Sequence, residues 1–137
     1  MAIVGFNFEK IVAEKNEPIS GRINISNNVA IKNVEETDLS LGKASQKGVK
    51  FDFEFTSTYD PKIGNILLKG NVLFVDEAKK IKEILSAWKK NKKIPDDIMS
   101  NLMNTILNKC NIEALILSRD INLPAPVPLP KVNVITK

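Results

Sequence analysis

The sequence predicts an α+β domain: a four-stranded antiparallel sheet built as a meander, with one long and one shorter helix packed on it. Three observations carry this. Within residues 1–75, successive runs alternate apolar and polar side chains with period two, as half-buried strands do. Residues 76–121 switch to apolar spacings of three and four, the pattern of amphipathic helices. Four of the seven prolines gather at 122–130, where they end the helical pattern instead of interrupting it. With 137 residues, 43% hydrophobic and 26% charged, the chain has the size and composition of one globular domain spanning 1–137.

Each element has its own signal. In the first strand Val4, Phe6 and Phe8 share a face, whereas Ile11 and Ala13 take the other parity. One extra residue near Glu9-Lys10, a bulge, would restore a single face. Ile19, Gly21, Ile23 and Ile25 begin the second strand, and Asn27-Asn28 reads as a turn or bulge before Val29, Ile31 and Val34. Residues 35–48 are polar, with Gly42, Ser45 and Gly48, and read as a mobile connection. The third strand is the clearest: Val49, Phe51, Phe53 and Phe55 alternate with Lys50, Asp52, Glu54 and Thr56. Asp60-Pro61 and Gly64-Asn65 form the next turn. Ile66, Leu68, Gly70, Val72 and Phe74 then keep one parity through Gly70, which predicts a single strand with a bulge or close backbone approach there. A Gly70-Asn71 hairpin would leave very short arms.

A helix follows with Asp76 as its cap and Ala78, Ile81, Ile84, Leu85 and Trp88 on its apolar face; Lys92 to Pro95 end it. The longer helix starts at Asp96 or Asp97, either of which can cap it. Ile98, Met99, Leu102, Met103, Ile106, Leu107, Cys110, Ala114, Leu115 and Leu117 give it one broad stripe toward the sheet. It stops before Pro124, because a residue preceding proline avoids helical backbone. The stretch NLPAPVPLP at 122–130 lacks four amide donors, so it is extended and polyproline-like. Its prolines are evenly spaced and form no PxxP pair, which argues against a ligand for proline-reading domains. The tail to Lys137 can add a short strand through Val132, Val134 and Ile135.

The composition excludes much chemistry. There is no histidine and one cysteine, which removes the usual zinc sites, the Ser/His and Cys/His nucleophile pairs and disulfides. No phosphate loop or dinucleotide fingerprint is present. The acid pairs Glu35-Glu36, Asp76-Glu77 and Asp96-Asp97 sit in loops or at helix starts, where the helix dipole already favours carboxylates. Cys110 lies in the helical stripe and reads as a buried small hydrophobe. We therefore expect no enzyme activity, no metal and no cofactor. No apolar run approaches the roughly 18 residues of a membrane span, and the N-terminus lacks the pattern of a secretory signal, so a cytoplasmic protein without membrane insertion is expected.

Two surfaces remain as candidates. The net charge of +4 resides in 76–93, where seven lysines face three acids. Lys89, Lys90, Lys92 and Lys93, with Lys79, Lys80 and Lys82, would form a nucleic-acid footprint; a solvated helix face is the ordinary alternative. Eighteen of the twenty basic residues are lysine, and arginine is the better fork for bases and phosphates, so nucleic acid is the disfavoured partner. The second surface is the proline-rich segment. Leu123, Val127 and Leu129 are presented by a stiff backbone, either as a strap over the domain's own core or as one wall of an apolar groove. Leu115 and Trp88 join them as candidate peptide contacts, with core packing the other reading for Trp88.

The order of elements, and residues 94–132 in particular, resembles the SecB-type protein-export chaperones. An Ile-Pro-acidic helix start at Ile94 to Asp97 leads into a leucine-rich turn. The step Cys110-Asn111-Ile112 follows, then Arg119, then the Pro/Leu run ending at Pro130 to Asn133. The opening Gly-Phe-Asn-Phe-Glu is similar to the family's first strand. The helix at 76–90 looks like an insertion, and the bacterial members are acidic where this chain is basic. The resemblance implies an ATP-independent holdase for unfolded or extended polypeptide, assembled as a homotetramer, a dimer of dimers. The residues themselves also point to assembly. Leu67, Leu73 and Val75 fall on the parity opposite the main apolar face, and leaving each wet forgoes about 1.5–3 kcal/mol.

Overall fold

The computed structural model describes residues 2–16, 18, 21–41 and 44–128. Four antiparallel strands, β1 (Ala2–Lys15), β2 (Asn24–Leu41), β3 (Ala44–Asp60) and β4 (Gly64–Val75), form one sheet, followed by helices α1 (Ala78–Asn91) and α2 (Asp96–Asp120). The α+β class, the four strands and the two helices are as the sequence predicts. Strand order differs from a simple meander: it runs β1-β4-β3-β2. Strands β2, β3 and β4 do follow one another, but β1 pairs with β4 and not with its sequence neighbour β2, a Greek-key-like return. Strands β1 and β2, consecutive in the chain, thus lie at opposite edges of the sheet.

Within the polar stretch 35–48, residues 35–41 and 44–48 are not a loose connection. They are the distal arms of a long hairpin, with β2 and β3 paired from Asn24↔Asp60 to Leu41↔Ala44. Its residues are polar because it extends past the core, and cross-strand ion pairs decorate it: Lys50 Nζ to Glu35 at 3.0 Å and Lys47 Nζ to Glu36 at 3.1 Å. The β1 bulge falls at Glu9, as the change of parity predicts, and a second one falls at Val4. In β2 the irregularity lies at Lys32, between Ile31↔Phe53 and Asn33↔Asp52; Asn27-Asn28 stay in register. The bulge at Lys32 is what keeps Val34 on the same face as Ile31.

One face of the sheet is covered. Val49, Phe51, Phe53, Phe55 and Tyr59 of β3 and Ile66, Leu68, Val72 and Phe74 of β4 are buried beneath the helices. The α1 helix lies over β2 and β3, and α2 crosses β4, β1 and β3. In α2 the buried seam is narrower than the expected stripe: Ile98, Leu102, Ile106, Cys110, Ala114 and Ser118, every fourth residue. A seam stepping by four drifts about 40° per step around a 3.6-residue helix, which suits a diagonal crossing. Neither helix is capped by an aspartate side chain. Glu77 and Pro95 occupy the cap positions, and Asp76 Oδ1 accepts the Glu77 N–H at 2.7 Å instead. Of the residues on the other face, Val75 is buried while Leu67 and Leu73 are half-buried. No helix among the described residues is long and apolar enough to cross a membrane.

Burial pushes the Tyr59 phenol and the Cys110 thiol up to about 12 each, from ordinary values of 10.0 and 9.0. The unfolded chain releases these protons at the ordinary values and the folded chain holds them longer. Stability from this source is therefore complete below pH 9 and is lost as pH rises toward about 12. The melting temperature should fall progressively through that interval. The chain has a single tyrosine, so phenolate absorbance reports Tyr59 alone; it should rise near pH 12 in the native protein, and a rise near 10 before unfolding would contradict its burial.

Candidate functional site

A cavity of about 390 Å³ opens where the chain leaves α2 and doubles back. Leu115, Ile116, Ser118 and Arg119 line it from the last turns of the helix, and Leu123 and Ala125 from the proline-rich strap. The reversal is local. Asn122 adopts a left-handed backbone (φ 57°), and the Leu123 N–H donates to the Ser118 carbonyl at 2.8 Å. Ser118 Oγ–H donates to the Leu115 carbonyl at 2.8 Å, which satisfies that buried hydroxyl within the helix. Arg119 is exposed at the rim, 3.6 Å from Asp120.

The strap is tied down on its other side. Tyr59 O–H donates to the Pro124 carbonyl and Asn27 Nδ2 to the Pro126 carbonyl, both at 2.7 Å. Leu123 and Pro126 are buried. The strap covers the end of the domain's own core through Leu123, and Leu123 and Ala125 also line the cavity. The groove continues onto helix surface that the sheet leaves uncovered. Ile112 and Ile116, one turn apart, are 53% and 40% exposed.

Of the candidate peptide contacts, Leu115 and Leu123 come together at this cavity. Val127 is half-buried nearby but outside the lining, and Leu129 and the tail strand lie outside the described residues. Trp88 is elsewhere. It packs on the core from α1, with the Lys92 ammonium 5.2 Å from its ring centroid. Ile116, Ser118, Arg119 and Ala125 were not among the sequence candidates; the signal for Ile116 was an apolar i,i+4 pair with Ile112 lying off the main stripe.

The lysines form a second feature. Lys79, Lys82, Lys89 and Lys90 share the solvent side of α1, opposite buried Ile81 and Ile84. With Lys93 just beyond the helix, they have no ion-pair partner among the described residues, whereas Lys80 reaches Asp97 at 3.5 Å and Glu83 at 3.9 Å. The fold and groove together define an α+β domain with an apolar cleft at one end of its long helix. No known protein family, curated protein or solved structure matches this chain.

Proposed function

We propose that the chain is an ATP-independent holdase of the cytoplasm that binds unfolded or extended polypeptide, in the manner of the SecB-type chaperones its sequence resembles. The observation that carries this reading is the cleft lined by Leu115, Ile116, Leu123 and Ala125, continuous with exposed Ile112. Apolar surface kept open to solvent is what a holdase needs. A client segment docked there is withdrawn from aggregation by mass action, with no reactive group required. The test is suppression of aggregation of a chemically unfolded protein without nucleotide. Suppression is expected near equimolar protomer, and none would remove the reading. Ile116→Glu should weaken it about tenfold or more, the equivalent of one lost apolar contact of about 1.5–3 kcal/mol. Because Ile116 is 40% exposed, its circular dichroism should stay native.

The same proposal includes a homotetramer. Leu67 and Leu73 on the open sheet face, and exposed Val4 and Ile11 on edge strand β1, supply apolar surface for it. Light scattering should give about four times the protomer mass of 15.2 kDa; a clean monomer sinks this part.

A second reading rests on the unpaired lysines of α1. As a nucleic-acid face they would bind phosphates without reading sequence, since few aromatics are exposed to stack bases. Binding at low salt should then weaken by roughly 0.7–0.9 log units per log unit of salt for each phosphate neutralised. A gel shift with no complex at micromolar protein removes it.

A further inference from the structure

We propose that Asn27, at the exposed sheet edge, and buried Ser57 and Tyr59 form a latch that fixes the proline-rich strap against the sheet and thereby sets the opening of the cleft, making them positioning residues for whatever binds there. The proposal rests on the cleft reading above for its consequence on binding, but the latch itself stands on geometry alone.

Prolines 124, 126 and 128 have no N–H to give, so at those positions the strap offers only carbonyls. In this fold two of those carbonyls are gripped by side-chain donors. The described residues supply two. Tyr59 on β3 and Asn27 on β2 each place a donor 2.7 Å from a strap carbonyl, on Pro124 and Pro126 respectively. The two carbonyls are two residues apart in the strap. Tyr59 and Ser57, the ladder partner of Asn27, are likewise two apart on one strand, so both lie on the helix-covered face.

Ser57 completes the arrangement. It is fully buried and pairs directly across the ladder with Asn27. Its hydroxyl donates to Asn27 Oδ1 at 2.6 Å, which fixes the amide so that Nδ2 faces the strap. A serine and a fully buried tyrosine among the core residues of β3 interrupt an otherwise apolar face, and buried polar groups persist where they have partners. Here the partners are each other and the strap. No buried side-chain polar atom among the described residues is left without a partner. The phenol, held protonated to about 12, donates throughout the physiological range.

The strap is therefore held at three points in succession: the Leu123 N–H on Ser118, the Pro124 carbonyl on Tyr59 and the Pro126 carbonyl on Asn27. Leu123 and Ala125, which wall the cleft, sit within that span. With so few ties, loss of one frees the wall while the ladder and helices beneath keep theirs.

Tyr59→Phe keeps the ring and removes only the donor, and Asn27→Ala removes the second tie. Hydrogen exchange at the Leu123 amide, which donates to the Ser118 carbonyl, should accelerate in both variants while exchange in β3 and β4 stays slow. Affinity for an unfolded reporter polypeptide should weaken about three- to tenfold, the size of one hydrogen bond. Ile84→Val, a core substitution under α1 away from the strap, serves as a control for general destabilisation and should change neither reading. Unchanged exchange at Leu123 overturns the latch. Faster exchange with unchanged affinity overturns its role in positioning the cleft. If the wild-type chain binds no polypeptide, the holdase reading falls by itself, and the exchange data still decide whether the latch holds the strap.

Discussion

Gly70→Ala is expected to cost about 3 kcal/mol or more, the sum of overpacking at about 1–3 kcal/mol and the loss of one or two ladder hydrogen bonds at about 0.5–1.5 each. The reason is the fit of β1 against β4. A Cβ at position 70 would overlap the carbonyl oxygen of Asn7 and come within 2.9 Å of Phe53 Cζ. The first obstacle is backbone, so no rotamer change relieves it. Gly70 faces Phe8 in the register, and the next pair, Lys10↔Lys69, follows only after Glu9 bulges out. On the open face the bulged Glu9 accepts a hydrogen bond from Asn71 Nδ2, and Asn7 donates to Asn71 Oδ1 at 3.4 Å. A side chain at 70 would therefore disturb the bulge, the ladder and this polar cluster together. For a domain of this size the melting temperature should drop by roughly 10 °C. Hydrogen exchange should show β1 loosened while the β2–β3 hairpin stays protected. A loss below about 1 kcal/mol would mean that β1 can move outward freely, and the close approach would lose its structural meaning.

That glycine also shows what a sequence of this kind discloses. Parity held through Gly70 and changed at Glu9 because one face of β1, β3 and β4 is buried, and a slip by one residue would turn every phenylalanine into water. Where burial is two-sided or absent, the signal fades. The hairpin arms at 35–39 and 46–47 are exposed or half-buried beyond the core and carry few apolar residues, so they read as a loop. The placement of β1 beside β4 depends on where residues 16–23 carry the chain, and no residue type in that link encodes a destination. Asp76, Asp96 and Asp97 are good caps by type, but Glu77 and Pro95 take the cap positions because the turn geometry before each helix is set by packing. The cleft was half-visible for the same reason. Leu115 and Leu123 belong to recognisable apolar patterns. Arg119 and Ala125 become its lining only through the reversal at Asn122, which folds the strap back along α2. Ser57, Asn27 and Tyr59 carried no sequence signal of a latch, because their partners lie 30 to 99 residues away.

Phe53→Ala should be the most destabilising single truncation in the sheet, at about 3–5 kcal/mol against a total of about 5–15. Phe53 is 2% exposed and lies directly across Gly70 from Phe8. Because position 70 has no side chain, the Phe53 ring spans the gap on the covered face and reaches two rings of the edge strand. It stacks on Phe6 at 5.1 Å with a 27° interplanar angle and meets Phe8 edge-on at 6.2 Å. Phe6 and Phe8 themselves meet edge-on at 5.1 Å, so three rings close over one glycine. Such pairs add about 0.5–1.5 kcal/mol beyond buried area. A double-mutant cycle with Phe8→Ala should show coupling of that order, since the two truncations share one cavity. The combination with Gly70→Ala is sharper. Removing the Phe53 ring clears only the lesser of the two obstacles to a Cβ at 70, and the Asn7 carbonyl remains. Phe53→Ala should therefore fail to rescue Gly70→Ala, and chemical denaturation of the double variant should show costs that add or nearly add. Recovery of most of the Gly70→Ala loss would show that side-chain crowding, and not the backbone approach of β1, is what reserves this position for glycine.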